Sequence, residues 1–195
     1  MNHTSCPRIA HVVYRTRRFD EMLRWYATVF GTRVVTQDPA IVFLGYDEEH
    51  HRFAIANLNV IRPGGDGMDN RALVGIDHVA YSLDTLHELF ERYAALAEAG
   101  IRPYWCVHHG VTVSMYYADP DGNQTEFQVD AHPTKQECAH WMSGPEFRAN
   151  PIGVEFDPDD WLRRLRGGTP AAALLNRQVH EPRSPIRGSV AQEVH

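Results

Sequence analysis

Two histidines stand at matching places in this sequence. Ile9-Ala10-His11-Val12-Val13-Tyr14 and Ile76-Asp77-His78-Val79-Ala80-Tyr81 are offset by 67 residues, and Ile, His, Val and Tyr coincide. A carboxylate completes a candidate set. In Gln124-Thr125-Glu126-Phe127-Gln128-Val129, strand alternation turns Gln124, Glu126 and Gln128 one way and Thr125, Phe127 and Val129 the other. The apolar face is the core face, so Glu126 lies on the opposite, polar one. A lone histidine on a strand is usually just a partly buried ring, and a lone glutamate is usually solvated. The repeat changes that reading. If a pseudo-twofold relates the two copies, their first strands lie close together, and His11, His78 and Glu126 converge. Two imidazoles and one carboxylate form the facial triad that leaves open positions on a non-haem Fe(II).

The elements that would carry these residues also repeat. At the same offset Glu21 falls on Glu88 and Tyr26 on Tyr93, while Phe19, Met22 and Leu23 fall on Leu86, Leu89 and Phe90. Each copy therefore runs from a short strand into a helix-period stretch and reaches a glycine, Gly31 or Gly100, where a helix stops. β-branched and aromatic runs follow. They are 32–36, 40–45 and 51–59 in the first copy, and 102–108, 111–117 and 124–129 in the second, with the turn Asp119-Pro120-Asp121-Gly122-Asn123 before the last. The fold class expected is α+β: two βαβββ modules, about 8–61 and 71–130, forming one domain over 1–130 with a curved mixed sheet around the metal site. A glycine-rich polar linker, 62–70, joins them. A C-terminal extension, 131–195, follows. In it Pro133–Met142 reads as a short helix, and Pro158–Arg166 as another, capped by Asp157 and stopped by Gly167-Gly168. Roughly the last twenty residues read as poorly ordered or as an arm on another surface.

Composition narrows the function class. The chain has 195 residues, 43% hydrophobic and 23% charged, an ordinary globular mixture. A net charge of −6 argues against a nucleic-acid partner. No apolar run approaches the ~20 residues that span a bilayer, which argues against a membrane partner. Met1–Arg8 has no apolar signal-peptide core. Three cysteines at irregular spacing suggest neither a disulfide framework nor a zinc site, and a reducing, cytoplasmic setting is expected. Cys106 reads as a packed apolar residue, and Trp25, Tyr26 and Tyr93 as core.

With these residues in view, the chain resembles the vicinal oxygen chelate superfamily, which includes glyoxalases, fosfomycin-resistance proteins, bleomycin-binding proteins and extradiol dioxygenases. The paired modules, Ile76-Asp77-His78-Val79 opening the second, and Asp119-Pro120-Asp121-Gly122-Asn123-Gln124-Thr125-Glu126-Phe127 closing it, carry the resemblance, which covers about Arg8 to Asp130. Within the superfamily the chain looks most like the one-domain type I extradiol catechol dioxygenases of aromatic catabolism.

The resemblance implies the following. The metal ligands are His11, His78 and Glu126, and the metal is Fe(II), with Mn(II) as an alternative. The second histidine of His50-His51-Arg52-Phe53-Ala54 acts as acid and base. Tyr116, which alternation sets on one face with Thr112 and Ser114, hydrogen-bonds a substrate hydroxyl. The substrates are a catechol-type diol and O2, and the assembly is a homodimer or higher homo-oligomer. If 51–59 is a strand, His51 shares a face with Phe53 and Ile55 while His50 points away. Phe53, Ile55, Trp141, Met142 and Phe147 are candidate walls of the substrate pocket. His108 and His109 are expected as bystanders in a solvated loop. Alternative readings are a glyoxalase-like isomerase, an antibiotic-modifying thiol transferase or a non-catalytic small-molecule binding module.

Overall fold

The computed structural model describes residues 7–64, 74–118, 124–177 and 182–188. The expected linker from residue 65 onward and the turn 119–123 lie outside them. Nine strands form one open mixed sheet among the described residues, in the order β2-β3-β4-β1-β5-β8-β7-β6-β9. The first half supplies β1 (Arg8–Thr16), β2 (Arg33–Gln37), β3 (Ile41–Gly45) and β4 (Phe53–Asn57). The second supplies β5 (Gly75–Ser82), β6 (Trp105–His108), β7 (Thr112–Ala118) and β8 (Gln124–Asp130), and the extension adds β9 (Val154–Glu155) at the edge. The order 2-3-4-1 followed by 5-8-7-6 is one module and its twofold-related copy. In each, the first strand pairs in parallel with the last, and β1 meets β5 antiparallel at the seam.

One long helix from each module covers one face. α1 (Phe19–Phe30) ends where Gly31 takes the left-handed φ of 63°. It buries Tyr26 against Val42, Leu44 and Ile55, with Phe53 packed alongside. Trp25, expected in the core, is 52% exposed, because the inward position at this phase of the helix belongs to Tyr26. α2 is the single turn Leu58–Ile61. The expected strand 51–59 is therefore shorter at both ends, since Asn57 starts this turn by accepting a hydrogen bond from Asn59 N.

α3 (Leu86–Glu98) is capped by Thr85 and buries Leu86, Leu89, Phe90 and Tyr93 against Val113, Met115 and Val129. The extension folds back on both faces. α4 (Lys135–Met142) starts in a Thr134–Glu137 capping box, and α5 (Pro145–Ala149) follows it. α6 (Pro158–Arg166), capped by Asp157 as expected, and α7 (Ala171–Leu175) bring Leu165 and Leu174 onto the α3 core.

The described part of the tail also packs down. Trp105 Nε1 donates to Ser184 Oγ at 2.9 Å, Ser184 N donates to Gly153 O at 2.8 Å, and Arg187 pairs with Glu155 at 2.5 Å. No described helix is long and apolar enough to cross a membrane.

Gly110 enters the β6–β7 turn at φ 91°, and a Cβ there would lie 2.0 Å from the Trp141 ring. Gly168 also has positive φ, 89°, but a Cβ would meet nothing within 4 Å. Gly168→Ala is expected to cost about 1 kcal/mol of backbone strain. Gly110→Ala is expected to cost about 2–4 kcal/mol, because the ring adds a steric clash. Chemical denaturation of the two variants measures the difference. Equal losses would mean that α4 yields at no cost.

Candidate active site

The site is built on the face opposite α1 and α3. Directly paired residues on neighbouring strands share a face. His11 (β1) pairs with Ala80 (β5), Ala80 with Glu126 (β8), Glu126 with Tyr116 (β7), and Tyr116 with Trp105 (β6). One row thus crosses five strands. His78 stands two residues before Ala80 and returns to the same face. His11 Nε2 lies 3.4 Å and His78 Nε2 3.1 Å from Glu126 Oε2. One ligand atom from each of the three lies within 4.8 Å of the others. His11, Glu126 and Tyr116 are at most 5% exposed.

Register, rather than spacing, reveals what the symmetry leaves out. Val13 is the counterpart of Ala80, and it pairs with Ala54 of β4 as Ala80 pairs with Glu126. The twofold-related position to Glu126 is therefore Ala54, a fully buried methyl. Three donors meet on one side, and that fourth position holds no donor.

Charge follows from this burial. Burial favours the neutral form of Glu126, but His11 and His78 outweigh it and hold the carboxyl well below the usual carboxylate range. Burial disfavours the His78 cation, yet contacts with Asp77 and Glu126 prevail and lift its pKa to about 9. Asp77 Oδ1 is 2.7 Å from His78 Nδ1, and Arg15 lies 3.6 Å from the other Asp77 oxygen. This outer carboxylate orients the ring and sets its Nε2 toward Glu126. Glu126 Oε2 and His11 Nδ1 are buried without a hydrogen-bond partner. A buried carboxylate oxygen facing two imidazole nitrogens, with no hydrogen bond of its own, suits a cation held among them.

A cavity of about 210 Å3 opens over the triad. Its polar floor includes His51, His109, Tyr116 and Gln128, and its walls include Phe43, Val111, Met142, Phe147, Ile152 and Ile186.

The family model described as the Glyoxalase/Bleomycin resistance protein/Dioxygenase superfamily matches residues 8–127. The chain belongs to this superfamily. Biphenyl-2,3-diol 1,2-dioxygenase 2 of Rhodococcus globerulus is 43% identical over 168 residues, covering 86% of each chain. Biphenyl-2,3-diol 1,2-dioxygenase 3 of the same organism is 40% identical over 176 residues, covering 89% of this chain and 90% of the other. Among solved structures, the Mn(II)-bound glyoxalase from Novosphingobium aromaticivorans matches with a TM-score of 0.50 at 21% identity. That match covers 64% of this chain and 40% of the other, and it speaks to the fold.

Around this superfamily core several residues sit differently from the sequence expectation. Residues 50–52 precede β4, so strand alternation does not govern them, and His50 does not point away. It is 1% exposed, His51 is 4%, and their Nδ1 atoms are 2.6 Å apart. Burial, then His11, pushes the His51 pKa well down, and burial, then Lys135, does so for His50. His51 is beside the triad, its ring centroid 4.2 Å from that of His11. Phe53 and Ile55 do not line the cavity. They belong to the α1 face, and Ala56 with Phe43 and Ile41 of β3 takes their place. Met142 and Phe147 are wall residues as expected, while Trp141 packs beside Phe147 and Gly110.

His108 and His109 are not in a solvated loop. His108 bridges Leu175 O and Gly110 N on the far side, a structural role. His109 lines the cavity. Its Nδ1 lies 2.6 Å from Ile152 O, which can only accept, so the hydrogen is on Nδ1. With its pKa lowered by burial, the bare Nε2 accepts from Tyr116 OH at 3.0 Å. Burial, then Glu126, raises Tyr116 well above the usual phenol. Cys106 and Cys138 are buried thiols pushed up to about 12, which bears out packing over nucleophilicity.

His78→Ala is expected to abolish metal binding in a protein that keeps its circular dichroism. Asp77→Ala, which removes the orienting carboxylate, is expected to weaken metal affinity by about 10–100-fold. Metal analysis and competition with a chelator check both. Wild-type metal content in His78→Ala would remove that ring from the ligand set.

Proposed function

We propose that this protein is an extradiol dioxygenase, cleaving a catechol-type ring beside its diol with O2, at a non-haem Fe(II) held by His11, His78 and Glu126. Mn(II) is the alternative ion. The observation that carries the proposal is the three-donor set with Ala54 in the fourth position, in a chain 40–43% identical to biphenyl-2,3-diol 1,2-dioxygenases over most of its length.

When bound, Fe(II) supplies Lewis acidity toward a catechol hydroxyl and redox chemistry toward dioxygen. The remaining steps belong to side chains. His51 Nε2 is buried and has no hydrogen-bond partner, so it is free to take a hydroxyl proton and to return it later. The Tyr116 hydroxyl has the bare His109 Nε2 and the Glu126 carboxylate as acceptors for its proton, which leaves a phenol-oxygen lone pair able to accept from a substrate hydroxyl. The buried site excludes water from this proton traffic and strengthens each polar contact. Phe43, Met142, Phe147 and Ile152 form an apolar wall suited to a substituent on the diol ring, and an aryl group as in biphenyl-2,3-diol fits that chemistry.

Iron-loaded protein prepared without oxygen is expected to consume one O2 per biphenyl-2,3-diol and yield a yellow ring-opened product. Activity should vanish with a ferrous chelator and return with iron. An oxygen electrode and a panel of catechols test this. Absence of uptake with every catechol would sink the proposal. His51→Gln should keep its iron and lose about 10²–10⁴ in kcat. Tyr116→Phe should lose about 3–10-fold in kcat/KM, the value of one hydrogen bond between neutral groups.

A further inference from the structure

His50 and His51 form a pair whose hydrogens can be assigned from their partners. Two Nδ1 atoms 2.6 Å apart have room for one hydrogen between them. The far side of His50 decides which ring owns it. His50 Nε2 is 3.5 Å from Glu49 Oε1 and 3.7 Å from Asp130 Oδ1. A nitrogen lone pair facing two carboxylates would be repelled, whereas an N–H is attracted. Lys135 fixes both carboxylates, pairing with Glu49 and lying 2.8 Å from Asp130 Oδ2. Glu49, His50 and Asp130 offer atoms within 4.8 Å of one another, yet the Lys135 ammonium already serves as their cation.

We infer that Lys135, Glu49, Asp130 and His50 form a relay that holds His51 in one tautomer, hydrogen on Nδ1 and lone pair on Nε2. His50 carries its hydrogen on Nε2, toward the carboxylates. Its bare Nδ1 accepts the His51 Nδ1–H. His51 Nε2, buried and without a partner, then carries the lone pair on a ring that lines the cavity. A proton leaving a substrate hydroxyl bonds to that Nε2, its electron pair stays on the substrate oxygen, and the Nδ1–H remains. The charge gained on His51 is met through His50 by the two carboxylates. His50 is thus a positioning residue, and its effect on turnover rests on the reading of His51 as the base.

The test has two independent readouts. Nitrogen-15 correlation spectra of the metal-free full chain, labelled in histidine, report which ring nitrogen of each histidine carries hydrogen. The wild type is expected to show His51 with hydrogen on Nδ1 and His50 with hydrogen on Nε2. The second readout is kcat of the iron-loaded protein. His50→Phe keeps the ring volume but removes the acceptor. It should retain metal content and KM, show mixed His51 tautomers, and lose about 10²-fold in kcat. His50→Asn, whose Oδ1 can stand where Nδ1 stood, should recover much of that loss and the single tautomer. Hydrogen on His51 Nε2 in the wild type would overturn the inference, whatever the activity. So would full turnover in His50→Phe. If the expected tautomers appear while no catechol is turned over by the wild type, the relay is supported and the dioxygenase reading is the one that fails.

Discussion

A carboxylate 1% exposed to solvent sits at the centre of this protein, and the fold must compensate it. Burying a charge is unfavourable unless partners are held against it. Glu126 has two imidazoles within 3.4 Å, one from each module, and those partners exist only because β1 lies beside β5. The seam between modules is therefore where the sheet needs its most accurate register. A slip of one residue in β1 would turn His11 to the helix face and leave Glu126 short of a partner. The apolar packing of α1 and α3 on the opposite face pins that register, since Val42, Ile55, Val113 and Val129 must keep facing inward.

A second layer of charge surrounds the first. Arg15 and Asp77 stand behind His78, and Lys135 with Glu49 and Asp130 stands behind His50. In both places a cation holds carboxylate, and carboxylate orients imidazole. The C-terminal segment supplies what the two modules lack. Its α4 brings Lys135 and Met142, α5 brings Phe147, and residues 182–188 add Ile186 to the cavity wall. The segment is therefore part of the cavity and its electrostatics, not an appendage beside them.

Much of this is legible in the residues alone. The repeat of Ile-His-Val-Tyr and the alternation around Glu126 suffice to bring His11, His78 and Glu126 to one face, because period-two patterning is strong where one face is apolar. Tyr116 comes from the family resemblance, and alternation agrees with it. Legibility fails where the period fails. Residues 50–52 lie in a loop, so alternation has nothing to say about His50 and misplaces Phe53 and Ile55. His109 is misread as a loop bystander because its ring is held by Ile152 O, 43 residues on, a contact that leaves no local pattern. For a related reason the residues alone cannot say where the tail packs. Its contacts through Ser184 and Arg187 are single polar anchors on distant strands, which leave no periodic trace.

Ala54 carries a different lesson. A chain built from one unit used twice begins with equal halves, and equal halves would present equal faces to the seam. The histidines keep that equality; residues 54 and 126 break it, a methyl on one side and a carboxylate on the other. The departure is small enough to be reached by a single substitution, and it leaves the centre three donors, His11, His78 and Glu126, where full symmetry would give four. In a duplicated fold, then, the half that gives up a side chain can matter as much as the half that keeps it. Comparing such proteins by the residues they share would overlook the position where this one differs from itself.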